Sequence, residues 1–390
     1  MNVLVVFGTR PELIKLAPVL RAMRGDPSAF DVRVCATAQH RDLLAPLLKL
    51  FEIRPDVDLD VMRPDQSPAD VVARVVTGLS PLLQRARSGA RNGWVPDWVP
   101  DWVIVQGDTT TTMAAALAAR YAGVRIAHVE AGLRTGRLDQ PFPEEANRRI
   151  VGAIADLHFA PTPGARDHLL AEGVPDSWIT VTGNTGIDAL LWAASQRAPA
   201  EVDRLIAGAP RDLVLVTAHR RESFGAPLEQ ICLALRDLAE RFGPAVRFIY
   251  PVHPNPNVDG PVRRRLGDVP NVMLLPPLDY LTLVHVLKRS RFVLTDSGGL
   301  QEEAPSLGKP VLVLRETTER PEGVAAGTAR VVGPDRGRIV AEAARLIEDA
   351  GAYAQMAKAV NPYGDGRAAE RIAAVLAATA REPVRTPCGT

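Results

Sequence analysis

Residues 292–314 read FVLTDSGGLQEEAPSLGKPVLVL. Two apolar runs, FVLT at 292–295 and PVLVL at 310–314, flank a helical stretch over 299–307. A strand that returns to a second strand through a helix makes the pair parallel, because the crossover carries the chain back to its starting edge. At the first strand's end stand Ser297, Gly298 and Gly299, followed by two adjacent glutamates.

The same alternation runs through the chain. Upstream, strands are expected at 3–7, 32–37, 102–106, 125–129, 157–160 and 179–182, with helices over 11–24, 40–51, 68–87, 109–122, 143–155 and 163–173. Downstream, strands are expected at 213–217, 246–252, 272–276, 292–295, 310–314 and 329–332, with helices over 227–242, 257–266, 279–289, 299–307, 336–349, 351–359 and 367–380. Residues 184–211 hold a helix and the crossover between halves. The repeated WVPDWVPDW at 94–102 lengthens a loop. This grammar predicts an α/β protein of two doubly wound Rossmann-like domains facing across a cleft. The first is 1–183 plus a C-terminal helix at about 366–390, and the second is 184–365.

Bulk composition narrows the function. The 390 residues carry 46 basic and 45 acidic side chains, which argues against a nucleic-acid binder. Cys35, Cys232 and Cys388 are odd in number and far apart, so no disulfide framework or metal spacing follows. The start MNVLVVFGTR has no signal-peptide character, and no stretch nears the roughly 18 apolar residues of a membrane span. A cytoplasmic protein is expected. No G-x-G-x-x-G follows the first strand and no Walker A motif occurs, which disfavours a dinucleotide cofactor or an ATP-type P-loop. The seven histidines lack metal-binding spacing, so no cofactor is expected.

Polar residues gather where strands end. GTRPE (8–12), GDTTTT (107–112), EAGLRTG (130–136), AHRRESFG (218–225), HPNPN (253–257), DSGG (296–299) and RETTERPEG (315–323) each follow an apolar run. Ordinary βα loops need a glycine and a cap, so this density points to a site at the carboxyl ends of the strands. Arg10 and Lys15, with a helix N-terminus between strand and Lys15, suit an anion. Gly298 and Gly299 let backbone N–H groups approach a phosphate, and Ser297 is placed to cap the helix through its hydroxyl. Glu303, one turn in, suits the vicinal hydroxyls of a ribose, with Glu302 facing elsewhere. Arg320 adds positive charge. A pyrophosphate at SGG with a ribose at Glu303 describes a nucleoside diphosphate. In the first half the acids are Asp108, Glu130, Glu144 and Glu145. His219 stands at the first strand end of the second half. Carboxylates gathered at one cleft repel each other, and some then serve as proton carriers.

These motifs, with PFPEEANRR (141–149), TGNTGIDAL (182–190) and NPYGDG (361–366), resemble in order the non-hydrolysing bacterial UDP-N-acetylglucosamine 2-epimerases, from residue 2 to about 373. The resemblance implies the two-domain fold shared with GT-B glycosyltransferases, and a homodimer. It also implies interconversion of UDP-N-acetylglucosamine and UDP-N-acetylmannosamine through a glycal, without metal or nicotinamide. It assigns catalysis to Asp108, Glu130, Glu144 and His219. UDP binding falls to Arg10, Lys15, Ser297, Gly298, Gly299, Glu303 and Arg320. Which carboxylate removes the C2 proton and which returns it stays open. Leu278 and Leu283 stand where the family often has a Gln and an aromatic near uracil. A regulatory site for UDP-N-acetylglucosamine is matched by Gln39, Glu145, Arg220 and His253. Asp42 and Asp65 stand where a Gln and an Arg are common, so altered or absent activation is expected, because acids near a pyrophosphate weaken it. The competing readings are a UDP-sugar glycosyltransferase, a hydrolysing 2-epimerase and a non-catalytic nucleotide-sugar sensor.

Overall fold

The computed structural model describes residues 1–37, 41–63, 65–83, 98–208 and 212–379. The chain divides into two units, Met1–Ala189 with Gly364–Thr390, and Leu190–Tyr363. In the first, strands β1 (Asn2–Phe7), β2 (Asp31–Ala36), β3 (Val57–Asp58), β4 (Trp102–Gln106), β5 (Arg125–Val129), β6 (Leu157–Ala160) and β7 (Ile179–Val181) form one parallel sheet ordered β3-β2-β1-β4-β5-β6-β7. In the second, β8 (Asp212–Thr217), β9 (Val246–Pro251), β10 (Val272–Leu275), β11 (Phe292–Thr295), β12 (Val311–Val313) and β13 (Ala329–Val331) are ordered β10-β9-β8-β11-β12-β13, again all parallel. Both are doubly wound. The strand order reverses between β1 and β4 and between β8 and β11, where loops diverge and leave a crevice for ligands.

The strands are continuous apolar runs because helices cover both faces of each sheet. Every residue of β4, WVIVQ, is buried. Helix Pro68–Leu83 buries Val71, Val75, Leu79 and Leu83, a stripe at four-residue spacing. It lies with Leu4, Val6, Val103 and Val105 in a core that also takes Ala114, Ala115, Ala118 and Ala119 of helix Thr110–Ala122. Truncating Leu79 to Ala there removes packing worth about 2–5 kcal/mol. In the second unit Phe248, Tyr250, Phe292 and Leu294 share a core with Leu228, Ile231, Leu235 and Leu238 of helix Ala226–Phe242.

Strand β3 and helix Pro321–Ala325 are among the elements that escape the sequence reading. Strand β3 is two residues long and pairs only with Cys35 and Ala36 at the sheet edge, too short to show alternation. Helix Pro321–Ala325 is a single turn within a polar loop. The stretch 184–211 holds two helices, Thr185–Ser195 and Ala200–Ile206, instead of one. The division between units falls inside the first of these, later than residue 184. Asp188 accepts the N–H groups of Ala368 (3.2 Å) and Ala369 (2.8 Å), which fastens that helix's start to helix Ala368–Thr379 of the first unit. Gln39, Cys388 and the first half of WVPDWVPDW lie outside the described residues. Among the described residues, no helix is long and apolar enough to cross a membrane.

Candidate active site

In the first unit the switch point is fastened by Glu12. Fully buried, its carboxylate accepts from the Gly8 N–H (3.0 Å), the Thr9 N–H (2.6 Å), Thr109 Oγ1 (2.6 Å) and Thr112 Oγ1 (3.0 Å), joining the loops after β1 and β4. Burial raises its pKa, and these four hydrogen bonds oppose the rise. Gly8 has no alternative: a Cβ there would lie 2.3 Å from Thr37 Oγ1 and 2.4 Å from Thr111 Oγ1.

The register of β4 and β5 pairs Gln106 with Val129, which brings Asp108 and Glu130 to one sheet end. Glu130 sits at φ 64°, a left-handed conformation uncommon outside glycine. Its Oε2 accepts from Lys15 Nζ at 2.5 Å and from Gln106 Nε2. Lys15 therefore meets a carboxylate within its own unit. Asp108 Oδ2 accepts Arg148 Nε (2.9 Å) and Nη2 (2.7 Å), and Asn147 donates to the Asp108 carbonyl (2.9 Å). Glu144 opens helix Glu144–Ile154, and its buried Oε2 has no hydrogen-bond partner among the described residues. Arg10 begins helix Arg10–Arg24, half-buried.

In the second unit Asp296 is the counterpart of Glu12. It is fully buried, and its Oδ2 accepts from the N–H groups of His219 and Arg220, each 2.7 Å, and from Ser223 Oγ at 3.1 Å. Beside it the Thr217 and Thr295 hydroxyls bond at 2.6 Å. The loops after β8 and β11 are thus joined as those after β1 and β4 are. Helix Gly298–Ser306 starts here. A Cβ on Gly298 would lie 3.6 Å from Arg220 Nη2 and 3.9 Å from Arg320 Nη2. Two guanidinium groups therefore flank a helix N-terminus whose N–H groups already favour an anion. A Cβ on Gly299 would lie 3.7 Å from Glu303 Oε1, so that carboxylate folds back over the same turn. Glu302 pairs with Arg320 Nε. The Ser297 hydroxyl makes no capping bond, contrary to expectation. The Ser297 carbonyl instead accepts from Gln301 Nε2 (3.2 Å), and its N–H donates to Thr295 Oγ1 (2.9 Å).

His219 stacks on His253, with ring centroids 5.3 Å apart and planes at 26°. Desolvation lowers the His219 pKa; Asp296 opposes this, while His253 and Arg220 add to it. A neutral imidazole at neutral pH follows. His253 Nδ1 accepts from the Asn255 N–H at 3.1 Å, which leaves the proton of its neutral form on Nε2. Leu278 and Leu283 are half-buried around the start of helix Tyr280–Arg289, which Asp279 caps through the Thr282 N–H at 3.0 Å.

Of the residues matched to a regulatory site, Gln39 and the Asp42 side chain lie outside those described. Asp65 is exposed at φ 54°. Glu145 is fully buried, and its oxygens accept from the Thr135 N–H (3.0 Å), the Gly136 N–H (3.2 Å) and Arg148 Nη1 (3.2 Å). Arg220 stands over the SGG turn.

A family model described as UDP-N-acetylglucosamine 2-epimerase matches residues 21–377. The chain belongs to the UDP-N-acetylglucosamine 2-epimerase family. The UDP-N-acetylglucosamine 2-epimerase of Escherichia coli (strain K12) is 51% identical over 383 residues, spanning 96% of this chain and 98% of the relative. The structure of the Neisseria meningitidis UDP-GlcNAc 2-epimerase bound to UDP-GlcNAc is similar at a TM-score of 0.86 and 44% identity, over 96% of this chain and 99% of that one. A Methanocaldococcus jannaschii UDP-GlcNAc 2-epimerase in complex with UDP-GlcNAc and UDP follows at a TM-score of 0.77 and 29% identity, over 96% and 99%.

Within this epimerase-family chain, the sequence reading passed over Glu12, Gln106, Arg148 and Asp296. Glu12 stands in the first turn of helix Arg10–Arg24, where an acid is ordinary, so nothing local marks its contacts with the loop after β4. Asp296 had a legible signal: an aspartate directly after the buried run FVLT needs donors, and the loop after β8 supplies them. Arg148 has none for its contact with Asp108, which stands on a loop 40 positions upstream in sequence.

Proposed function

We propose that this chain interconverts UDP-N-acetylglucosamine and UDP-N-acetylmannosamine by elimination and re-addition of UDP. The observation that carries the reading is the SGG turn. A helix N-terminus flanked by Arg220 and Arg320, with Glu303 folded over it, suits a diphosphate and the ribose beside it. In this reading UDP binding falls to Arg10, Lys15, Ser297, Gly298, Gly299, Glu303 and Arg320, with Leu278 and Leu283 for uracil, and the proton carriers are Asp108, Glu130, Glu144 and His219.

The chemistry explains why carboxylates are needed. The C2 proton of the sugar is weakly acidic, but C2 adjoins the carbon that bears UDP. A carboxylate removes the C2 proton, the C–H electron pair forms the C1–C2 double bond, and the C1–O bond breaks with its pair leaving on UDP. The β-phosphate oxygen then re-adds to C1 while a proton reaches C2 from the opposite face. UDP must be retained between the steps, and cationic groups with N–H donors stabilise it as a leaving group. Retention is also what makes the reaction non-hydrolysing. The protein acts as a homodimer in this reading.

Incubation with UDP-N-acetylglucosamine in D₂O, followed by NMR, tests it. The expected product is the C2 epimer with deuterium at C2 and UDP attached. Free N-acetylmannosamine and UDP would identify a hydrolysing enzyme, and an unchanged sugar would refute epimerisation.

A further inference from the structure

We infer that Arg148 is a positioning residue for Asp108, and that it ties the Asp108 carboxylate to the loop after β5. The inference rests on the catalytic reading of Asp108 above. Arg148 is only 8% exposed and spends its guanidinium on two carboxylates. Nε and Nη2 reach Asp108 Oδ2, and Nη1 reaches Glu145 Oε2. Burial works against its charge, but Asp108 and Glu145 outweigh it and hold its pKa above the ordinary value. Glu145 in turn accepts the N–H groups of Thr135 and Gly136. An unbroken series of hydrogen bonds thus runs from the 135–136 loop through Glu145 and Arg148 to Asp108.

The backbone at Asp108 is held independently. His128 Nε2 donates to the Gly107 carbonyl at 2.7 Å, and Asn147 Nδ2 donates to the Asp108 carbonyl at 2.9 Å. What remains for Arg148 is the side chain. Both its contacts fall on Oδ2, while Oδ1 makes no hydrogen bond to any described residue. One oxygen is anchored by a rigid planar fork, and the other is presented. A lysine offers a point charge and no fork, so it cannot reproduce the anchor. Displacing a reacting group by about 1 Å is enough to cost about 100-fold in rate.

The test measures kcat and KM for UDP-N-acetylglucosamine, UDP affinity by calorimetry and thermal melting for R148M, R148K, R148A, D108N and D108N/R148M. R148M is expected to lose about 100-fold in kcat with KM and UDP affinity little changed. R148K is expected to recover only part, and added guanidinium ion is expected to raise the kcat of R148A. In the D108N background, R148M is expected to cost nothing further, because the two act as one unit. R148K retains the buried charge and carries the test if R148M or R148A does not fold. Wild-type kcat in R148M or R148K, a loss confined to KM or melting temperature, or additive losses in the double variant would overturn the role of Arg148. D108N with unchanged kcat would instead remove the catalytic reading of Asp108 beneath it.

Discussion

Glu12 and Asp296 do the same physical work in different units. Each is a buried carboxylate at a point where strand order reverses, and each ties the two diverging loops together: Glu12 takes donors from both, and Asp296, on the loop after β11, takes its donors from the loop after β8. A crevice that opens for a ligand also opens a gap in the backbone hydrogen-bonding, and an acceptor with several lone pairs closes it. Glu12→Gln keeps one acceptor oxygen and turns an N–H₂ toward groups that only donate or share hydroxyls. Leaving a buried donor unpaired costs about 1–3 kcal/mol, so a loss of about 2 kcal/mol is expected in urea denaturation. An unchanged midpoint and slope would show that the loops do not depend on this carboxylate. At this scale the sequence was legible where chemistry is local. Gly299 and Glu303 lie about one helical turn apart with Gly298 beside them, and their mutual placement follows from helix geometry alone. Glu145 was not legible: helical spacing sets it beside Arg148, but only the folded 130–143 loop uses up its oxygens.

At the scale of elements, helix Gly298–Ser306 pits stability against function. Gly299 lies in its first turn with no positive φ, and a Cβ there meets nothing closer than 3.7 Å. Gly299→Ala should therefore stabilise the fold by up to about 1 kcal/mol, since alanine loses less backbone entropy in a helix. The added methyl also stands where UDP is proposed to approach. Weaker UDP binding, by about tenfold or about 1.4 kcal/mol, is expected together with a raised melting temperature. Calorimetry with UDP and thermal melting check the two signs, and unweakened binding would place the diphosphate elsewhere. Long elements such as β4 and helix Ala226–Phe242 announce themselves by apolar runs or helical spacing. β3 does not, because two residues have no period and its pairing depends on β2 already being in place.

Across the whole molecule, buried histidines are expected to contribute to the response to acid. His128 and His158 are register neighbours on β5 and β6. Burial pushes His128 down to about 3, against the Gly107 hydrogen bond, and His158 down to about 4. Their folded pKa values lie below the unfolded value of about 6.5, so the unfolded chain binds these protons first as pH falls. Their contribution is fully present above about pH 6.5 and is lost at about 1.4 kcal/mol per pH unit per histidine on the way down to their folded pKa values. Urea denaturation between pH 7 and pH 4 is expected to show this decline, with a shallower slope in H158F. A slope unchanged by that substitution would assign the acid response to carboxylates. Regulation also belongs at this scale. With Asp42 and Asp65 where a Gln and an Arg are common, turnover of UDP-N-acetylmannosamine is expected to be hyperbolic without UDP-N-acetylglucosamine. Sigmoidal turnover relieved by traces of UDP-N-acetylglucosamine would contradict that.

The sequence by itself determined the two parallel sheets, most of the elements, and the family motifs that gather at strand ends. Those are governed by apolar period, turn chemistry and helix geometry, all of which act over a few neighbouring residues. Only the tertiary structure decided which polar side chains are consumed in holding the loops and which are left to meet a ligand. Arg148, Glu12 and Asp296 have partners distant in sequence, and a hydrogen bond between distant residues exists only once the sheet that carries both loops has set them in place.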